Sequence, residues 1–236
     1  MSGSPNSLAV RTDEALETLR DAAQAGTVTL ASSFSVEDMV LTDMIDRHGL
    51  AIGIFTLDTG RLPDETYALM QQTRKRYRTP VAVYAPQAAA VESYVAANGP
   101  NAFYDSIELR QSCCAIRKVE PLKRALAGKQ GWVTGLRRQH SVTRRDLPLR
   151  EWDADNAMHK FNPLAAWTNE DVWAYVNAFE VPYNALHDRG FASIGCAPCT
   201  RAITVGEDIR AGRWWWENPE TKECGLHPAH ADRKAS

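Results

Sequence analysis

Short β-branched apolar runs alternate with helix-periodic segments through the first half of the chain, and the first two runs end in small polar residues. After a helical stretch at 13–25 that stops at Gly26, TVTLASS (Thr27–Ser33) reads as a strand. In the following VEDMVLTDMIDRH, Val36, Met39, Val40, Met44 and Ile45 share one helical face. AIGIFTLDTG repeats the strand, Pro63 opens a helix reaching about Tyr77, and PVAVY is a third strand. Such alternation requires right-handed crossovers, so the expected fold is α/β, a mostly parallel sheet flanked by helices. Ligands of such sheets sit beyond the carboxyl ends of the strands, where SSFS and LDTG both fall.

Further on, AIRKVEPLKRAL reads as helical despite Pro121, GWVTGL as a short strand, and TNEDVWAYVNAF as a helix capped by Thr168 with Asp171 three residues later. From Asn184 the texture turns to Gly, Pro, Cys and Arg, without periodicity. With 236 residues, one domain spanning 1–236 is expected, its last part (about 200–236) an irregular, mobile arm. A net charge of −2 gives no electrostatic reason for nucleic-acid or anionic-membrane partners. No leader or long apolar segment is evident, so the expected location is cytoplasmic. A homo-oligomer is compatible with the sequence, which does not set the oligomeric state.

Ser32, Ser33 and Ser35 lie between the first strand and its helix, where free N–H groups and the helix dipole favour an anion. Taken alone they are ordinary helix caps, and Asp58 and Gly60 of LDTG suit any turn. Their placement at consecutive strand ends is what points to a pocket.

Cysteines carry the most specific signal. Five are an unlikely disulfide framework in a reducing compartment. Cys113 and Cys114 are adjacent, and Cys196 and Cys199 form CAPC about 80 residues later. Two thiol pairs can supply four sulfur ligands to structural zinc or to an iron–sulfur cluster, and a vicinal pair suits the larger cluster better than tetrahedral zinc. Buried inert cysteines, or a thioredoxin-like redox pair in CAPC, are the alternatives. Cys224 stands alone in KECGLH, with Lys222 and His227 near it. At an ordinary thiol pKa only about 3% would be thiolate at pH 7, so nearby cations would assist any nucleophilic role.

Basic residues recur beside these features: Arg117 and Lys118, the run Arg137 to Arg145, Arg201, and Arg210 with Arg213. Guanidinium forks match phosphate and sulfate oxygens, so an anionic ligand is inferred. Trp214, Trp215 and Trp216 are assigned to packing, and His48, His140, His159 and His187 to ordinary polar or packing roles.

Together SSFSVED, TLDTG, CCAIRKVEPL, GLRRQHSVTR, KFNPLAAWTNEDVWAY, VPYNALHDRGFASIGCAPCT, GEDIRAGRWWWE and ECGLH span nearly the whole chain. In them the sequence resembles the assimilatory sulfonucleotide reductases, specifically the cluster-bearing adenosine 5'-phosphosulfate reductases. The resemblance implies an adenine-nucleotide α-hydrolase-like (PP-loop type) fold and a [4Fe–4S] cluster on Cys113, Cys114, Cys196 and Cys199. It implies that the Cys224 thiolate attacks the sulfur of adenosine 5'-phosphosulfate and leaves an S-sulfocysteine, from which thioredoxin or a glutaredoxin-like donor releases sulfite. Lys118, Arg144, Arg210 and Arg213 would hold phosphate and sulfate, His227 would lie beside the nucleophile, and Ser32, Ser33, Ser35, Leu57 and Thr59 would line the nucleotide site. Relatives commonly have glycine in place of Ser35, which puts a side chain where close backbone approach is expected.

Competing readings are a reductase of the 3'-phosphorylated sulfonucleotide, an ATP-cleaving adenylyltransferase on the same fold, and a zinc-bound redox-sensing module. Enzymes restricted to the 3'-phosphorylated substrate resemble this chain but lack the four extra cysteines. SSFSVED also lacks the glycines of an SGGxDS-like pyrophosphate loop.

Overall fold

The computed structural model describes residues 5–140 and 145–218. Helix α1 (Pro5–Gln24) precedes β1 (Val28–Ala31), α2 (Val36–Arg47), β2 (Ile52–Leu57), α3 (Asp64–Arg76), β3 (Val81–Tyr84) and α4 (Ala88–Asn98). Then come α5 (Ile107–Cys114), a π-helical turn (Ala115–Val119), α6 (Glu120–Leu126), β4 (Gly131–Val133), β5 (Arg150–Asp153), β6 (Met158–Phe161) and α7 (Asn169–Phe179).

The strands form one sheet in the order β3-β2-β1-β4-β6-β5. All neighbours are parallel except the β5–β6 hairpin. The chain runs outward from β1 through β2 to β3 and returns to the other side of β1 as β4. Strand order therefore reverses between β1 and β4, which opens a crevice at their carboxyl ends.

Period-two alternation divides the sheet between two cores. Val28 and Leu30 of β1, Ile52 and Ile54 of β2 and Val133 of β4 pack with α1, α2 and α7. Phe55 of β2 and Trp132 of β4 point the other way, against Leu122, Ala125 and Leu126 of α6. Helix α2 is the most deeply set, with every residue from Val36 to Ile45 buried. Its Asp43 carboxylate accepts from Tyr77 Oη (3.1 Å), Tyr175 Oη (3.0 Å) and Arg47, so burying this charge is offset by four donor contacts, of which the two tyrosines tie α2 to the end of α3 and to α7.

Sequence periodicity located α2, α3, α7 and the first four strands within a few residues, and placed the end of α1 but not its start, which lies at Pro5 rather than near residue 13. It did not show α4, whose AAAVESYVAAN lacks an apolar stripe and buries only Tyr94. The β5–β6 hairpin escaped it too, because REWD lies at the sheet edge with Asp153 as its one buried residue. Residues 201–218 contain no helix or strand, apart from an isolated bridge between Thr200 and Arg213.

Thr168 caps α7: its hydroxyl accepts from Asp171 N (3.1 Å), and the Asp171 carboxylate accepts from Thr168 N (2.9 Å). Removing the hydroxyl in Thr168→Ala is expected to lower the unfolding free energy by about 1 kcal/mol. Catalytic turnover should be unchanged; chemical denaturation read alongside an activity assay checks both.

Candidate functional site

The turn after β1 is held by its own side chains. Ser35 is the N-cap of α2 and accepts from Asp38 N at 3.2 Å. Asp38 in return accepts from Ser33 N (2.7 Å) and Ser33 Oγ (2.8 Å), while Ser32 Oγ accepts from Phe34 N (3.3 Å). The left-handed position is Phe34 (φ 59°), its ring buried in the core, whereas Ser35 has φ −63°. Ser35 thus occupies a conformation that needs no glycine, and its side chain serves as a cap. The close approach that does need glycine is at Gly135, where a Cβ would lie 2.5 Å from Asp38 Oδ1. Burial, only partly countered by the Ser33 hydrogen bonds, pushes the Asp38 carboxyl up to about 6.

At the end of β2 the LDTG turn joins the two cysteine pairs. Asp58 Oδ1 accepts from Gly60 N (2.9 Å) and Tyr67 Oη (2.7 Å) and shapes the turn. Arg117, three residues beyond Cys114, donates from Nη1 to Thr59 O at 2.6 Å. Thr59 Oγ1 lies 3.3 Å from Cys196 Sγ, and Ala197 N donates to Arg61 O at 2.8 Å. Cys113, Cys114 and Cys196 are buried and Cys199 half-buried, all as free thiols. Cys196 acts electrostatically on Cys113, and Cys196 and Cys114 on Cys199, so the two pairs lie near one another.

Cations surround that group. Burial pushes the Cys113 thiol up against the opposing pull of Arg117, and burial together with Cys196 pushes Cys199 up to about 12. Burial works the same way on Cys196, but Lys118, the Thr59 hydroxyl, Arg213 and Arg117 outweigh it and hold that thiol below its ordinary range. The cations favour the thiolate at Cys196, and by donor type and number the four cysteines fit an iron–sulfur cluster. Among the described residues, no three His, Cys, Asp or Glu side chains converge on a single-ion position.

Beside the cysteines a cavity of ≈ 270 Å³ opens over the carboxyl ends of β1, β2 and β4, at the strand-order reversal. Ser32, Ser33, Ser35, Leu57, Thr59, Lys118, Arg210 and Arg213 all line it, together with Cys196. Arg213 lies directly over Gly195, where any side chain would collide with its guanidinium. Arg144, Cys224 and His227 fall outside the described residues.

The other basic residues are engaged elsewhere. Arg137 forms a buried ion pair with Glu37 (2.7 Å), Arg138 Nε donates to Leu147 O (2.9 Å), and Arg201 pairs with Glu207 (2.8 Å). Lys118, Arg210 and Arg213 are the cations lining the cavity among the described residues.

Two residues read as packing turn out to face this cavity. Trp214, 1% exposed, has a buried Nε1 without a hydrogen-bond partner, and the Nε2 of His187 is in the same state. Orphaned buried donors of this kind mark where a polar ligand can bind. Nothing in WWW or in a lone histidine distinguishes such residues, because what exposes them to the cavity is the course of the irregular segments around them. Burial also pushes the His187 imidazole below its ordinary value, which favours its neutral form.

Residues 27–202 match the phosphoadenosine phosphosulfate reductase domain. The chain is 56% identical over 225 residues to the adenosine 5'-phosphosulfate reductase of Allochromatium vinosum, covering 95% of this chain and 88% of that one. It is 49% identical over 227 residues to the enzyme of the same name from Neisseria meningitidis serogroup A, covering 95% and 93%. Among solved structures, the phosphoadenylyl-sulfate reductase of Candida auris in complex with phosphate superposes with a TM-score of 0.69 at 25% identity, covering 86% of this chain and 99% of that one. Yeast FAD synthetase shares the fold alone, with a TM-score of 0.51 at 14% identity over 83% of this chain and 68% of its own. The expected adenine-nucleotide α-hydrolase-like architecture is therefore the observed one.

The raised Asp38 carboxyl has a stability signature. Its proton is held more tightly in the folded than in the unfolded chain, so its favourable contribution is complete below pH about 4 and is lost as pH rises through about 6. Asp38→Asn, a permanent mimic of the neutral form, should gain on the wild type by about 2 kcal/mol between pH 4 and pH 7. Paired denaturation curves across that range check it, and a pH-independent difference would contradict it.

Proposed function

The chain belongs to the phosphoadenosine phosphosulfate reductase family, and on that premise we propose that it reduces adenosine 5'-phosphosulfate to sulfite and AMP in assimilatory sulfate reduction and cysteine biosynthesis. It is an oxidoreductase acting on a sulfur group. The reading takes residues 1–236 as one cytoplasmic reductase domain whose arm, about 200–236, carries the nucleophile. One observation carries it: a cavity lined by Lys118, Arg210 and Arg213 directly adjoins the group formed by Cys113, Cys114, Cys196 and Cys199. That combination suits an enzyme that holds a phosphosulfate beside a cluster.

The cavity divides by chemistry. Ala31, Phe55, Leu57, Leu122 and Trp132 offer apolar surface for the adenine, and Lys118, Arg210 and Arg213 offer charge for the phosphosulfate. Lys118, Arg210 and Arg213 neutralise the anhydride oxygens and hold the sulfur in line for attack. Arg144 and His227 join them by resemblance. When bound on the four cysteines, a [4Fe–4S] cluster supplies fixed charge that tunes the electrostatics beside Lys118 and carries no electrons of the reaction.

The Cys224 thiolate forms a bond to the sulfuryl sulfur while the sulfur–oxygen bond to AMP breaks, and AMP leaves with the electron pair. A thiolate of reduced thioredoxin, or of a glutaredoxin-like donor, then attacks the Cys224 sulfur and expels sulfite. The donor's second thiol resolves the mixed disulfide. Two electrons have passed from the dithiol to sulfur, and Cys224 returns as thiolate.

The two names among the relatives differ in the 3'-phosphate. The relatives at 56% and 49% identity are named for the 5'-phosphosulfate, the solved structure at 25% for the 3'-phosphorylated form. The four cysteines favour the former substrate.

Anaerobically purified protein should contain iron and acid-labile sulfide at about four of each per chain. Incubated with adenosine 5'-phosphosulfate alone, it should acquire a sulfonate on the Cys224 peptide, seen by mass spectrometry, and release sulfite only when reduced thioredoxin follows. Cys224→Ser should lose both events, and kcat/KM should favour the 5'-phosphosulfate over its 3'-phosphorylated form. Zinc in place of iron, or an adduct on another residue, would overturn the reading.

A further inference from the structure

Arg110 on α5 lies outside the cavity, and its side chain is fully buried. Its guanidinium makes a two-pronged pair with Glu217, Nε to Oε1 at 2.6 Å and Nη2 to Oε2 at 3.0 Å, and the Glu217 side chain is only 4% exposed. The same guanidinium hydrogen-bonds the Cys114 side chain and stacks on Trp214, 4.9 Å from the ring centroid. Glu217 stands seven residues before Cys224 in the sequence. One buried cation therefore touches a cysteine of the first pair and the root of the C-terminal segment.

Around this contact the root is folded over both pairs. Trp214 N donates to Cys199 O (3.2 Å), Arg201 N to Gly212 O (3.0 Å), and Trp216 packs against the small core of Tyr94, Ala102, Phe103 and Cys113. Arg213, which lines the anion cavity, lies within this stretch. A buried arginine is costly unless its charge is matched. Here Glu217 supplies that match, so its loss would leave the Arg110 charge buried without a counter-ion beside the first cysteine pair.

We infer that Arg110 is a positioning residue that couples occupancy of the cysteine group to docking of residues 212–217, so that cluster retention and a docked arm root stabilise each other. The inference rests on the cluster reading given above. A group bridging the two cysteine pairs would fix α5 and Cys199 relative to one another, and the arm root is fastened to both, to α5 through the Arg110–Glu217 pair and to Cys199 through Trp214 N. Glu217 holds the guanidinium in the orientation that Cys114 requires, as outer partners of metal ligands do. Linkage makes the effect reciprocal, with the same factor in both directions.

Two measurements on the full chain test it. In the wild type, backbone hydrogen exchange of residues 212–217 should quicken at least tenfold when iron is removed by chelation, while residues 28–45 change less than twofold. In Glu217→Gln holoprotein, iron release to a chelator should be at least tenfold faster than in wild type, with Glu217→Asp intermediate. Glu207→Gln, which breaks a half-exposed pair in the same segment, should stay within twofold. A purely structural role for Arg110 would lower thermal stability without moving these two factors together. Iron release from Glu217→Gln within twofold of wild type, or uniform exchange changes on chelation, would overturn the coupling. Should that variant not fold, the wild-type exchange comparison decides. Wild-type protein without iron or sulfide would instead refute the cluster reading itself, and the coupling with it.

Discussion

The backbone and hydroxyl of Thr59 hold together groups that lie far apart in the chain. Its carbonyl receives Arg117 from the helix of the first cysteine pair, and its hydroxyl meets Cys196 of the second. Both contacts are buried, so each polar group would be costly without the other. The turn can play this role because β2 ends at the carboxyl edge of a parallel sheet, next to the point where strand order reverses. A cavity opens at that edge on general topological grounds. What is particular to this chain is that the cysteines are drawn to the same edge.

Charge distribution follows from the same geometry. A chain of net charge −2 has no long-range attraction for an anion, so affinity must come from a few cations held in place. Most arginines near the site are consumed in holding loops: Arg137 on Glu37, Arg117 on Thr59, Arg110 on Glu217. Lys118, Arg210 and Arg213 face the cavity, and the field of Lys118 and Arg213 also reaches Cys196, whose thiol is held low despite burial. On the proposed reading, substrate charge and sulfur charge share these cations, which gives a physical reason for the cavity and the cysteine group to lie side by side.

Much of this was legible in the sequence, and the parts that were not share a cause. Strand and helix periods revealed β1, β2, α2 and α3 because these elements bury one face or both, and burial is what hydrophobic spacing records. The cysteine pairs stood out because few other chemistries need those residues at that spacing, whereas the Ser32–Ser35 turn stood out only by its place at a strand end. Helix α4 and the β5–β6 hairpin did not, since their residues are largely exposed and carry no periodic signal. The division of arginines into structural and cavity-facing sets was equally hidden. RRQHSVTRR looks like an anion site, yet Arg137 and Arg138 are turned inward by partners 100 residues away and 9 residues away. Trp214 and His187 escaped notice because only the folded course of residues 187–214 brings them to the cavity.

The central claim is that thiols separated by about 80 residues act as one four-sulfur centre beside an anion site. Iron K-edge X-ray absorption on anaerobically purified protein tests it most directly. The account predicts a first shell of sulfur alone with clear iron–iron scattering, and loss of that pattern when either Cys113 or Cys199 is replaced by serine. A shell containing nitrogen or oxygen ligands in the wild type, or an unaltered spectrum after removal of one cysteine from each pair, would contradict it.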